Sequence, residues 1–291
     1  MKNINIFCYG FGQVAKSFVN RLSLEGFKVQ LSTTNRSETT FNKIGSIEYK
    51  SYKFENNNFD EKIIDQLKNS DHVLISIPPI NGNDIVINNF SDKLKTSNIK
   101  WITYLSATSV YGNHKGEWVD ELSKTQPTSP LGINRFKVEE KWLSFAKKTN
   151  LPLQIFRLSG IYSNKNNPLL RIKSGNANII NKPNHFFSRI HVEDIANVLL
   201  KSLTNFKSNE IYNISDDKPA SSEEVMLYAA KILKTNLPKI IDEQDIESEM
   251  LKNFYKDSKK VSNKKMKKFF GYNLKFPTYI EGLNNISDNL T

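Results

Sequence analysis

The stretch Ile4-Asn5-Ile6-Phe7-Cys8-Tyr9-Gly10-Phe11-Gly12-Gln13-Val14-Ala15 decides how the rest of the chain is read. Residues 4–9 form a short apolar run that suits a buried strand, and the run passes directly into a glycine pair. From Gln13 to Leu24 the residues Val14, Ala15, Phe18, Val19 and Leu22 recur at helical spacing, and Gly26 stops them. A strand, a glycine turn and a helix in this order are the context that makes G-x-G-x-x-G/A a dinucleotide fingerprint. Gly10 permits the tight turn, Gly12 lets the backbone approach a pyrophosphate, and Ala15 lets helix and strand pack closely. Phe11, Gln13 and Val14 complete a helix start whose N–H groups and partial positive charge suit phosphates.

A second strand is expected at Phe27–Leu31, and the choice of coenzyme is made just beyond it. Sites selective for NAD place an acid there. This chain has Ser32-Thr33-Thr34-Asn35-Arg36-Ser37 instead, with no acid before Glu38. Arg36 can meet a 2′-phosphate with a bidentate fork, and Thr34 can add a hydroxyl. The expected coenzyme is NADP(H), with NAD(H) as the alternative; an ordinary surface arginine is the plain structural reading of Arg36.

Working outward, strand and helix signals alternate. Strands are expected at Ile47–Phe54, His72–Ile77, Trp101–Leu105, Leu153–Leu158 and Glu210–Ile214, with helices at Asp60–Leu67 and Ile133–Lys148, and Arg189-Ile190-His191-Val192-Glu193-Asp194 leads into a further helix reaching Leu203. Apolar strands separated by helices imply a parallel sheet covered on both faces. The fold class is therefore α/β: a doubly wound parallel-sheet Rossmann fold with a small, mainly helical C-terminal substrate lobe. The core is assigned to 1–161 and 188–214, and the lobe to 162–187 and 215–291. Within the lobe, 164–184 reads as polar loop, and Lys256–Lys268 as an amphipathic helix with a solvated lysine face. Topology adds coenzyme contacts: Ile77, Pro78 and Pro79 near the adenine-side ribose, and Leu105, Ser106, Gly160 and Ile161 beside the nicotinamide.

Composition narrows the class. One cysteine leaves no internal disulfide, and His72, His114, His185 and His191 lack metal-ligand spacing, so no metal is expected. No apolar stretch is long enough to span a bilayer. The opening apolar run is too brief for a signal peptide and flows into the fingerprint, so a cytoplasmic protein is expected. The formal charge of +11 arises from lysines spread among asparagines and isoleucines, so a dedicated nucleic-acid partner is not expected. A small-molecule substrate is, and the protein is expected to be a monomer or homodimer.

Four later segments carry a family resemblance. Leu105-Ser106-Ala107-Thr108-Ser109-Val110-Tyr111-Gly112 resembles the S-S-x-x-V-Y-G segment of extended short-chain dehydrogenase/reductases, the group of nucleotide-sugar epimerases and dehydratases. Phe156–Tyr162 is similar to their R-x-x-x-x-Y-G strand end, Arg189–Ala196 to I-H-V-x-D-x-A, and Ile211–Asp216 to Y-N-V-x-D. The short G-x-G-x-x-A fingerprint is nearer an atypical, NAD(P)-dependent epimerase/dehydratase-like branch, the YeeZ-like group. The resemblance implies a serine or threonine, a tyrosine and a lysine as the chemical groups. Aligning Pro130-Leu131-Gly132-Ile133-Asn134-Arg135 with P-Y-G-x-S-K puts Leu131 at the tyrosine and Arg135 at the lysine, while the serine position falls on Ala107.

Leucine cannot shuttle a proton, whereas Arg135 can hold a ribose hydroxyl and supply fixed charge. Three readings follow: a reductase or epimerase-like enzyme with a relocated proton donor, a coenzyme-binding redox or ligand sensor without turnover, and a scaffold associated with RNA or a complex. For the first, Tyr111 is the leading candidate donor, with Thr108, Ser109 and His191 behind it; each can equally be packing or capping. On the substrate side, Tyr111, Arg171, Arg189, His191 and Tyr255 are candidates for contact with an anionic or ring-bearing ligand.

Overall fold

A computed structural model describes residues 2–290, apart from the side chain of Met250. In chain order the first elements are β1 (Asn3–Tyr9), α1 (Gln13–Leu24), β2 (Lys28–Asn35), β3 (Thr40–Ile44), β4 (Ile47–Glu55), β5 (Asn58–Phe59), α2 (Lys62–Lys68), β6 (His72–Ile75), α3 (Ile85–Lys95) and β7 (Trp101–Ala107). A 3-10 turn (Thr108–Tyr111), β8 (Trp118–Val119), α4 (Pro130–Thr149), β9 (Leu153–Leu158), β10 (Gly160–Tyr162), α5 (Pro168–Lys173), β11 (Asn178–Asn181), β12 (Arg189–His191), α6 (Val192–Ser202) and β13 (Glu210–Ile214) follow. The remainder comprises α7 (Ser222–Leu233), β14 (Lys239–Asp242), α8 (Glu249–Tyr255), β15 (Lys260–Val261), α9 (Lys264–Phe270) and α10 (Tyr279–Asp288).

The chain divides into two compact units, one of residues 1–106, 134–157 and 195–212 and the other of 107–133, 158–194 and 213–291. The first is built on a sheet of order β13-β9-β7-β6-β1-β2-β4-β3. β1 pairs in parallel with β2 on one side and with β6 on the other, so the strand order reverses at β1. That reversal opens a crevice beyond the strand ends, where ligands bind in open α/β sheets. The sheet is mostly parallel, as expected of a Rossmann fold; at its far edge β3 and β5 instead run antiparallel to β4. β3 escapes the sequence pattern because it is polar and exposed, with Phe41 laid open to solvent under the Lys50 ammonium, and β5 because it is only two residues long.

One face of the first unit buries Phe7, Tyr9, Phe54, Phe90, Ile102, Tyr104 and Trp142 in a single cluster. Phe90 comes from α3, a helix not expected from the sequence, because asparagines interrupt its apolar face; its real signal is Asp84, whose buried carboxylate caps it by accepting from Val86 N and Ile87 N. Inside the same unit Arg157 of β9 and Glu139 of α4 form a bidentate ion pair, Nη2 to Oε2 at 2.7 Å, with 4% and 1% of the side chains exposed.

The second unit is mainly helical with three short parallel pairs, β10·β12, β11·β14 and β8·β15. The stretch 164–184, expected to be loop, contains α5 and β11: Asn167 caps α5 by accepting from Leu170 N, with Pro168 opening it. The lysine-rich stretch is not one helix either. Residues 260–261 are β15, α9 begins only at Lys264, and Lys259 is buried, its Nζ 3.8 Å from Asp257. Among the described residues no helix is long and apolar enough to cross a membrane.

Candidate functional site

Two regions of the structure hold the residues singled out by the sequence, one in each unit. In the first, Gly10 follows β1 with φ +82°, a conformation that favours glycine. A Cβ there would lie 2.9 Å from Ser76 Oγ and 3.1 Å from Ile77 Cγ1, so the turn and the end of β6 are packed closely together. Ser76 Oγ donates to the Tyr9 and Gly10 carbonyls, and Thr34 Oγ1 accepts from Gly10 N at 2.9 Å. Thr34 is thus spent in part on holding the loop. Val14 and Ala15 are buried as the fingerprint requires, and the half-buried Phe11 ring packs on Tyr49 at 5.0 Å.

Gly12 is different. It caps α1 with an ordinary φ of −81°, and a Cβ built on it would meet nothing within 4 Å. Neither strain nor packing explains a glycine here. As the N-cap, Gly12 brings no side chain to cap the helix. A helix start opened by a glycine with free space over it fits a diphosphate held by backbone N–H groups. Arg36 stands exposed at the end of β2, while Ile77, Pro78 and Pro79 continue from β6 along the same crevice. These residues would hold a nicotinamide dinucleotide. Farther along the sheet, Arg135 Nη1 donates to the Leu105 carbonyl at 2.6 Å, and the Ser106 hydroxyl is buried without a hydrogen-bond partner among the described residues.

In the second unit a cavity of about 130 Å³ lies among β10, α5, β12, α7, α8 and α10. Arg171 and Arg189 line it, as do Gly160 and Ile161, and it has no acidic side chain in its wall among the described residues. Arg189 is fixed by its own backbone surroundings: Nη1 donates to the Phe187 and Ala220 carbonyls at 3.0 and 2.9 Å. Arg171 is exposed and reaches Asn166 Oδ1 at 3.5 Å. Ser222, the first residue of α7, also lines it; that helix start is capped by Ser221, whose side chain accepts from Glu224 N.

The comparisons fit this geometry. A family model for the NAD-dependent epimerase/dehydratase family matches residues 86–215. A solved structure from Silicibacter pomeroyi, a functionally unknown conserved protein, is 30% identical, with 99% of each chain covered and a TM-score of 0.86. The chain belongs to the NAD-dependent epimerase/dehydratase family. Its fold is that of extended short-chain dehydrogenase/reductases: UDP-glucuronic acid 4-epimerase from Bacillus cereus, solved with NAD, matches with a TM-score of 0.77 at 16% identity over 100% of this chain and 99% of that one. UDP-N-acetylglucosamine 4-epimerase from Bacillus cereus matches equally, with a TM-score of 0.77, 16% identity and 99% of each chain covered. No curated protein matches.

Leu131, which the sequence alignment sets against the family's tyrosine, lies exposed on the first turn of α4. Thr108 and Tyr111 both lie in the 3-10 turn after β7, Thr108 half-buried and Tyr111 with none of its surface exposed. The Tyr111 hydroxyl donates to Asn213 Oδ1 at 2.8 Å. Its proton is committed inside the second unit.

His191 and Tyr255 are buried beside the cavity rather than in its wall. His191 Nδ1 accepts from Glu193 N at 3.3 Å, capping the start of α6, and its ring packs edge-on against Phe276 and Tyr162. Tyr255 stacks on His185, while its neighbour Phe254 is the residue that faces the cavity. The sequence reading also missed Asn166, Ser222 and Tyr279; only Ser221-Ser222-Glu223-Glu224, a helix-start signature, hinted at one of them.

Burial lowers the pKa of both His185 and His191 to about 4. A histidine whose folded pKa lies below its unfolded value stabilises the fold fully above about pH 6.5, and that stability is lost as pH falls toward the folded pKa. Unfolding free energy is therefore expected to drop between pH 6.5 and 4, by on the order of 2 kcal/mol for each histidine. Urea melts at pH 7 and 4.5 check this; a His191→Gln variant whose pH slope equals that of the unaltered chain would remove His191 from the account.

Proposed function

We propose that this protein is an NADP(H)-binding oxidoreductase or epimerase-like enzyme acting on a small substrate, anionic or nucleotide-sugar in character. The observation that carries the reading is Gly12, an N-cap glycine without a capping side chain of its own and with open space over it. The exposed Arg36 at the end of β2, with no acid in 32–37, supports NADP(H) over NAD(H) through a fork of donors for the 2′-phosphate. The bound coenzyme would supply hydride transfer at its nicotinamide.

The chain's own groups then do the positioning. Arg135, anchored on the Leu105 carbonyl, turns its remaining donors to the ribose as a fixed cation. With leucine at position 131 and the Tyr111 proton held by Asn213, Thr108 is the hydroxyl proposed to relay a proton to solvent, and Tyr111 supports its turn. A positioned acid–base contributes roughly 10²–10⁴ in rate, so slow turnover is expected. The same residues favour a second reading, a sensor that binds coenzyme without turnover.

Fluorescence titration with NADPH and NADH tests the binding. NADPH should bind at least tenfold tighter than NADH, and Arg36→Ala should erase that preference. Should neither coenzyme bind the folded chain, both readings fall. Oxidation of NADPH with a panel of sugar phosphates and nucleotide-sugars, slowed at least tenfold in Thr108→Val, separates enzyme from sensor.

A further inference from the structure

We infer that the cavity of the second unit is built for a small phosphate-bearing compound that carries no nucleobase. This rests on the reading of an anionic substrate above and narrows it. Three observations converge. The first is charge: Arg171 and Arg189 line the cavity, and no carboxylate among the described residues lines that wall. Guanidinium groups are the donors that hold a phosphate with a fork of N–H groups. Arg189 cannot leave, because Nη1 is bonded to two backbone carbonyls; Arg171, exposed, is the adjustable partner.

The second observation is size. The cavity encloses about 130 Å³, whereas pockets that bury drug-sized ligands run from about 300 to 1,000 Å³. A phosphate with a few attached carbons fits; a base, a ribose, a diphosphate and a sugar together do not.

The third is that the Phe187 face, on which a base could stack, is already covered by the chain, although the covering Phe254 ring is itself half exposed. Phe254 lies face to face on Phe187, with ring centroids 4.2 Å apart and planes 10° from parallel. His185 meets Phe187 edge-on at 4.5 Å, and the Arg189 guanidinium sits 5.9 Å from the same ring. Tyr279 is buried, with the Tyr228 ring against it and the Lys218 ammonium 5.3 Å from its centroid. Phe254 thus occupies, from within the protein, the stacking position on Phe187.

Calorimetric titration of the full chain with inorganic phosphate and with UDP, at fixed ionic strength, tests the inference. Phosphate is expected to bind and to weaken at least tenfold in Arg171→Ala. UDP should bind the unaltered chain no more than threefold tighter than phosphate, and gain at least tenfold in Phe254→Ala, where the Phe187 face is uncovered. UDP binding the unaltered chain ten times tighter than phosphate overturns the inference. So does phosphate binding that is absent or indifferent to Arg171→Ala. An NADPH titration of the same samples keeps the two ideas apart: coenzyme binding without a phosphate response sinks only the cavity's assignment, whereas loss of coenzyme binding sinks the proposed function.

Discussion

Replacing Gly12 with aspartate is expected to cost the protein its coenzyme, by at least 100-fold in Kd, while raising its melting temperature. The two effects have one cause. Gly12 is the N-cap of α1, has no side chain to satisfy the first N–H groups, and faces open space where a Cβ would form. An aspartate there is well placed to accept from those groups, and such a cap is worth about 0.5–2 kcal/mol to the fold. The same N–H groups are the ones a diphosphate must use, and the new carboxylate would stand against its negative charge. A 100-fold loss corresponds to about 2.7 kcal/mol, a modest demand for a displaced set of charge-assisted hydrogen bonds. Differential scanning fluorimetry beside an NADPH titration reads both quantities. If the Gly12→Asp variant melts higher and still binds NADPH within threefold of the original, the diphosphate does not sit on α1.

Glu139→Ala is expected to destabilise the first unit by about 3–5 kcal/mol, the usual cost of stranding one member of a buried ion pair. Arg157 offers Nε and Nη2 to the Glu139 carboxylate at 2.7–3.2 Å, and both side chains are essentially shielded from water. Without Glu139 the guanidinium keeps its charge, since no accessible pH removes it. The pair also ties α4 to β9, and α4 carries Arg135, so coenzyme affinity should weaken along with stability. Replacing both partners with methionine should recover most of the loss, because the desolvated charge disappears with its partner. Chemical denaturation of the single and double variants decides the matter; a single variant within about 1 kcal/mol of the parent would show that the pair is solvated in solution.

How much of this was legible beforehand follows from what local sequence can encode. α1, β9 and β13 fall on the expected residues, because each presents a continuous apolar face or run that only one period satisfies. The fingerprint was legible for the same reason: Gly10 and Gly12 act through backbone geometry within a few residues. Where an element's apolar face is broken by asparagine, as in α3, or where an edge strand has no buried face at all, as in β3, the local signal fails and distant packing decides.

The glycine turn of the proposed phosphate cradle at Gly12 was therefore legible in the sequence alone, since a strand end and a helix start adjoin in the chain itself. The second unit's cavity was not. Its wall draws Gly160, Arg171, Arg189, Ser222, Phe254 and Tyr279 from widely separated parts of the chain, and only folding decides that Arg189 is pinned, that Tyr255 turns inward while Phe254 faces the cavity, and that the Tyr111 proton goes to Asn213. Backbone conformations are chosen by neighbours along the chain, whereas the burial and hydrogen-bond partner of a side chain are chosen by whatever the tertiary structure places against it.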